Sequence, residues 1–154
     1  MDFPAKYRVN LTDAQIKRHF PSLKKGKNFK FTSLGTDGYN CVAWASEITD
    51  DWIQLYDRNW MPKIDAKSYL DYFGKLGFKI VTETASEKGK LKIAVYIANG
   101  NGRPEFKHVA RQLLNGKWTS KLGDWEDIEH DTPEVLLGES YGDEIVIMEK
   151  NMES

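Results

Sequence analysis

"HVARQLLNGKWTSKL", residues 108–122, sets two strand-like runs around one dipeptide, and the reading of that dipeptide decides the fold. Asn115-Gly116 suits a two-residue hairpin, because both turn positions tolerate positive φ. That turn predicts a register with Leu114 opposite Lys117, Gln112 opposite Thr119 and His108 opposite Gly123. Side chains alternate across a strand, so His108, Ala110, Gln112 and Leu114 share one face with Thr119 and Lys121. Val109 and Leu113 take the other face. A histidine face of this kind either lines a cleft or meets solvent, and periodicity alone favours the plain amphipathic strand.

Similar short runs continue outward on both sides. "FKIVTE", "KLKIAVYIA" and "DEIVIMEK" alternate or are rich in β-branched residues, and Gly and Asn separate them. Before Gly77 the period is helical. Thr12 with Gln15 three residues later forms a capping-box pattern, which predicts a short helix from about Asp13 to Phe20, stopped by Pro21. "LKKGKNFK" reads as a solvated connection. Asp65 caps "AKSYLDYFGKLG", in which Tyr69, Leu70, Tyr72, Phe73 and Leu76 mark one face and Gly77 is the stop. Helices first and an antiparallel sheet afterwards predict an α+β domain. The aromatic stretch "DDWIQLYDRNWMPK" has no clean period and reads as a covering loop, and "NGNGRP" reads as a mobile loop that opens no helix.

Between the first helix and that loop lies "DGYNCVAWASEI", residues 37–48. Val42, Ala43, Trp44, Ala45 and Ile48 are apolar almost all round, which predicts a buried central helix with Cys41 in its first turn. A free cysteine at such a place packs as a small apolar side chain or supplies a thiolate. An unperturbed thiol has a pKa near about 8.5, and the positive end of a helix or a nearby imidazole lowers it. Cys41 has the first, and His108 is the candidate for the second. The backbone N–H of Cys41, with a neighbour from the turn before it, would face an oxyanion on an attacked carbonyl.

The chain has 154 residues, the size of one domain, with 1–35 as the N-terminal helix and connection and 36–150 as the core. A net charge of -1 from 22 basic and 23 acidic residues gives no general field for phosphate backbones or anionic membranes. Nucleic acid and membrane are therefore not expected as partners. No run approaches the roughly 18 apolar residues of a membrane span, and "MDFPAKYRVN" lacks the apolar core of a secretory signal. The single cysteine makes no internal disulfide, which points to a reducing, cytoplasmic compartment. Cys41, His108 and His130 lack the close spacing of strong zinc motifs, so neither a metal nor another cofactor is expected. His19 is explained by its helix's C-terminal carbonyls, and His130, among acidic neighbours, reads as a surface residue with a raised pKa. The tryptophans Trp44, Trp52, Trp60, Trp118 and Trp125 read as core, with Trp52 and Trp60 also placed to wall a cleft.

A helix that begins with the cysteine, followed by an antiparallel sheet whose early strand brings the histidine, resembles the papain-like superfamily. The likeness is to its transglutaminase-like domains and to bacterial cell-wall endopeptidases and amidases. "YNCVAWA", "HVARQL" and "GKWTSKLG" with "IEH" further on are similar to an uncharacterised family of small bacterial proteins, over roughly Tyr39 to Tyr141. The resemblance implies a papain-like α+β fold with a central Cys-bearing helix on an antiparallel sheet. It implies Cys41 as nucleophile, His108 as the base that activates it, and Asp124 as the group orienting the imidazole, with His130 as second choice. Tyr39, Asn40, Gln112, Trp52 and Trp60 become candidate substrate contacts. The implied activity is a thiol-dependent hydrolase or acyltransferase on an amide or thioester of a peptide or protein. Protease, amidase, deamidase and transglutaminase chemistry remain open. The alternative is an inactive papain-like binding or regulatory module, and either suits a bacterial toxin or defence system.

Overall fold

The computed structural model describes residues 12–24, 27–32, 55–122, 127–138 and 140–151. Tyr39, Asn40, Cys41 and Trp52, the central helix expected around them, and Asp124 all lie outside the described residues. Local sequence signals account for the two described α-helices. In α1, Asp13–His19, the Thr12 hydroxyl accepts from Gln15 N at 3.2 Å while Gln15 Oε1 accepts from Thr12 N at 2.9 Å, completing the capping box. In α2, Ala66–Lys75, the Asp65 carboxylate accepts from Ser68 N at 3.0 Å. Tyr69 and Phe73 form its buried stripe, and Gly77, at φ +104, ends the element. Leu76 at the cap is exposed and does not extend the stripe.

The strands are β1 Phe29–Phe31, β2 Lys79–Val81, β3 Lys90–Ala98, β4 Glu105–Gln112, β5 Trp118–Lys121, β6 Asp127–His130 and β7 Glu144–Asn151. They form one sheet in the order β1-β6-β5-β4-β3-β7-β2, with every neighbouring pair antiparallel. Helices and sheet together make the α+β architecture that the change of period predicts. Ile16 of α1 and Phe20 at its C-terminal cap join Ala94, Tyr96, Ala110, Trp118 and Ile128 on one face of the sheet. Tyr69 and Phe73 of α2 join Ile93, Val95, Val109 and Met148 on the other. β3 is consequently buried along almost its whole length, which explains a continuous apolar run where a half-exposed strand would alternate.

Four expectations are corrected. "LKKGKNFK" is not wholly a solvated connection, because Phe29 is buried and opens the edge strand β1. Two phenylalanines among lysines give a three-residue strand too short to show a period. His130 is not a surface residue: β6, masked in the sequence by its acidic residues, buries it completely. Trp60 is 81% exposed and belongs to no core, although Trp118 does. The hairpin after β4 has a three-residue loop instead of two.

That loop sets the register. Leu113 N donates to Lys117 O at 2.7 Å and Gly116 N to Leu113 O at 3.0 Å, a type I turn closed by Gly116 at φ +87. The Asn115 side chain stabilises it by accepting from Lys117 N at 2.9 Å. The pairing becomes Arg111 with Thr119 and Gln112 with Trp118, one residue from the predicted register. A slip of one residue turns the partner strand over. Trp118 and Ser120 therefore share the His108 face, while Thr119 and Lys121 leave it and Leu114 stands exposed at the turn.

Candidate functional site

A bulge aims His108. β3 and β4 pair Tyr96 with His108 but Ile97 with Phe106, so Lys107 is an extra residue in β4. In a regular strand residues 106 and 108 would share a face. Here Phe106 stacks on Tyr69 beside α2, with ring centroids 4.0 Å apart, whereas His108 joins Tyr96 on the opposite face.

The imidazole of His108 is 1% exposed. The Tyr141 ring lies flat against it, with centroids 4.1 Å apart and planes 4° from parallel, and Tyr96 tilts against it at 5.2 Å. Neither ring nitrogen has a hydrogen-bond partner among the described residues. Burial, helped by the proximity of His130, holds its pKa well below the ordinary histidine value, so the ring is neutral at physiological pH. Tyr96 is fixed independently: its hydroxyl donates to the Pro133 carbonyl at 2.6 Å. Burial first, then Glu134 and Tyr141, raises the Tyr96 pKa well above the usual phenol value.

On the same face, Ser120 and His130 form a second buried pair. His130 Nδ1 lies 2.9 Å from Thr132 O, and a carbonyl only accepts, so Nδ1 carries the proton. Nε2 is then the acceptor for the Ser120 hydroxyl at 2.8 Å. Burial lowers the His130 pKa to about 4, against smaller upward effects of Thr132, Asp131 and Glu129. Both residues are 0% exposed. His130, the second choice for orienting His108, thus has both nitrogens engaged by other groups and makes no hydrogen bond to that ring. Sequence reasoning missed the Ser120–His130 pair, because the pairing of Trp118 with His130 that puts the two on one face exists only once β6 is recognised, and the register of the three-residue turn is what makes it the His108 face.

Two glycines deliver Tyr141. Gly138 N donates to Gly142 O at 3.0 Å and Gly142 N to Gly138 O at 2.8 Å, closing a clip that carries Ser140 and Tyr141. Gly142 sits at φ +95, and a Cβ there would overlap the Ile97 carbonyl, so no other residue fits. Asp143 N donates to that carbonyl at 3.0 Å, fastening the clip to β3. At its other end Ser140 Oγ lies 2.8 Å from His19 Nδ1, and the Phe20 ring is 5.0 Å from Tyr141. His19 therefore reaches beyond its own helix end.

The remaining candidates are scattered. Gln112 is nearly buried, and its Nε2 donates to Thr84 O at 2.7 Å and Gly116 O at 3.2 Å, tying the hairpin to the preceding loop. Trp60 projects from a turn at φ +61, which Asp57 Oδ1 builds by accepting from Asn59 N at 2.8 Å and Met61 N at 3.0 Å. Of the candidates described, His108 and His130 share one buried face of the sheet, and His130 acts on His108 electrostatically. Trp60 stands at the surface, and Tyr39, Asn40, Cys41, Trp52 and Asp124 lie outside the described residues. Among the described residues no group of three or more His, Cys, Asp or Glu could hold a metal ion, and no helix is long and apolar enough to cross a membrane.

A family model with the description "Domain of unknown function (DUF7689)" matches residues 30–149. No curated protein and no solved structure matches the chain.

Proposed function

This chain belongs to the DUF7689 family, and we propose that it is a papain-like, thiol-dependent hydrolase or acyltransferase built on Cys41 and His108. The observation that carries the reading is an imidazole sealed on its sheet face with both nitrogens unpartnered among the described residues. A buried polar group without a hydrogen bond costs about 1–3 kcal/mol, so a position serving packing alone would be better filled by leucine. The bulge at Lys107 and the Tyr141 stack also commit backbone and aromatic surface to holding this ring. A neutral imidazole is the form that accepts a proton from a thiol.

The proposed sequence balances as follows. The Cys41 S–H proton passes to His108, and the thiolate adds to an amide or thioester carbonyl. The tetrahedral oxyanion is met by the Cys41 backbone N–H. Imidazolium returns its proton to the leaving amine or thiol as the carbonyl re-forms, leaving the acyl group on sulfur. Water or a second amine, deprotonated by His108, then releases the acyl group and regenerates the thiol. The leaving group and the acceptor decide between protease, amidase, deamidase and transglutaminase outcomes. A peptide or protein is the proposed substrate, Asp124 the proposed orienting group, and a reducing cytoplasm the setting that keeps the thiol free.

One observation favours a second reading. With His108 only 1% exposed, the same fold would serve as a binding or regulatory module without chemistry. Alkylation of Cys41 by iodoacetamide against pH separates the two. A coupled pair gives a rate plateau well below pH 8.5 and a loss of about tenfold or more at pH 7 in His108→Ala, since an unperturbed thiol is only about 3% thiolate there. A thiol that follows the free-thiol curve in both proteins sinks the enzymatic reading.

A further inference from the structure

We propose that Tyr141 is a positioning residue for His108, holding the plane of the imidazole through the face-on stack that the Gly138–Gly142 clip sets. The inference rests on the reading of His108 as the base that acts on Cys41. Three observations meet in it. The rings lie 4.1 Å apart and 4° from parallel, the closest and flattest stack His108 makes with a described residue. Hydrogen bonds ordinarily fix an imidazole's rotation about its Cβ–Cγ bond, and His108 has none to a described residue. The clip, finally, leaves Tyr141 little freedom. Paired hydrogen bonds close it, Gly142 is pressed onto the Ile97 carbonyl, and Ser140 is tied to His19.

Stacking thus replaces the hydrogen bond as the orienting contact from the described side. With rotation about Cβ–Cγ held, the imidazole presents its nitrogens only within a plane parallel to the phenol. Among the described residues, the titratable groups near this ring are Tyr96 from β3, His130 from β6 and Tyr141 itself, with His19 behind the clip and Glu134 beside Tyr96. Burial raises the Tyr96 pKa and keeps His130 neutral. Tyr141→Phe, which keeps the ring and removes the hydroxyl, separates the stack from any effect of the phenol's own proton.

The test uses the full chain with Tyr141→Phe, Tyr141→Leu and His108→Ala, read in two ways. Proton NMR gives the upfield ring-current displacement of the His108 ring protons, and iodoacetamide gives the pH profile of Cys41 alkylation. Tyr141→Phe is expected to keep both. Tyr141→Leu is expected to lose the displacement, slow alkylation at pH 7 by about two- to tenfold, the span of a stacked aromatic pair's orienting preference, and move the profile toward the free-thiol curve. Where Tyr141→Leu does not fold, Tyr141→Met takes its place. A Tyr141 that merely packs gives the opposite sign, because loosening the cover exposes Cys41 and alkylation is unchanged or faster. That result overturns the proposal, as does a Tyr141→Phe protein as slow as Tyr141→Leu. If His108→Ala slows alkylation while Tyr141→Leu does not, positioning fails and the thiol–imidazole reading stands. If His108→Ala has no effect, both fall, even with the ring-current displacement intact.

Discussion

Acid should unfold this protein through His130, by an amount the structure allows to be worked out. In the folded state burial holds the His130 pKa at about 4, against an ordinary value of 6.5. Above about pH 6.5 neither the folded nor the unfolded chain protonates this ring, and its full contribution to stability is present. Below that value the unfolded chain takes up a proton the folded one refuses, so stability falls with pH until the folded ring also titrates near pH 4. The gap from 6.5 to about 4, at about 1.36 kcal/mol per pH unit, is about 3 kcal/mol. That is a large share of the roughly 5–15 kcal/mol by which a domain is stable. His108, whose pKa burial depresses in the same direction, adds to the slope. The assay is urea unfolding followed by tryptophan fluorescence at several pH values from 7.5 to 4, in the natural chain and in His130→Gln. Glutamine does not titrate, and carboxylate effects are common to both proteins. The natural chain should lose about 3 kcal/mol more than the variant across this range. Parallel curves would refute the assignment of His130 as a neutral donor to Thr132 and acceptor from Ser120.

Two further expectations concern stability. Alanine at Gly116 meets only the Ser86 Cβ at 3.9 Å, so strain at φ +87 alone should cost about 1–2 kcal/mol. Alanine at Gly142 must also displace the Ile97 backbone and should cost about 3 kcal/mol or more; denaturant midpoints in the reverse order would undo the account of the clip. Tyr96→Phe leaves the Pro133 carbonyl without its donor and should lower the unfolding free energy by about 1–3 kcal/mol, read as a lower midpoint with an unchanged denaturant slope. A neutral result would show that the 2.6 Å contact is replaced by water.

The parts of the fold legible in the sequence are those written within a few residues of one another. Thr12 with Gln15, Asp65 with Ser68, and the β-branched run of β3 each state their structure locally. β1 and β6 were hidden because strands of three and four residues that interleave lysine or acids with their inward residues show no period, and pairing with neighbours is what makes them strands. Asn115-Gly116 announced a turn but not its length, since a two-residue loop and a type I turn closed by glycine draw on the same residues. The face of His108 was legible from alternation; its complete cover was not. What seals it includes Tyr141, thirty-three positions on, placed by a hydrogen-bonded pair of glycines that no period announces.

The surplus residue at Lys107 splits β4 into two halves of opposite parity, so the strand answers to two partners at once. Upstream of it the odd-even sequence is keyed to the α2 layer, and downstream to the α1 layer. Excising Lys107 would restore a regular ladder and force a choice: either Phe106 leaves Tyr69 or His108 rotates beneath α2. A length change at Lys107 therefore disturbs both layers at once, which makes the phase of this strand the feature on which both of its faces depend.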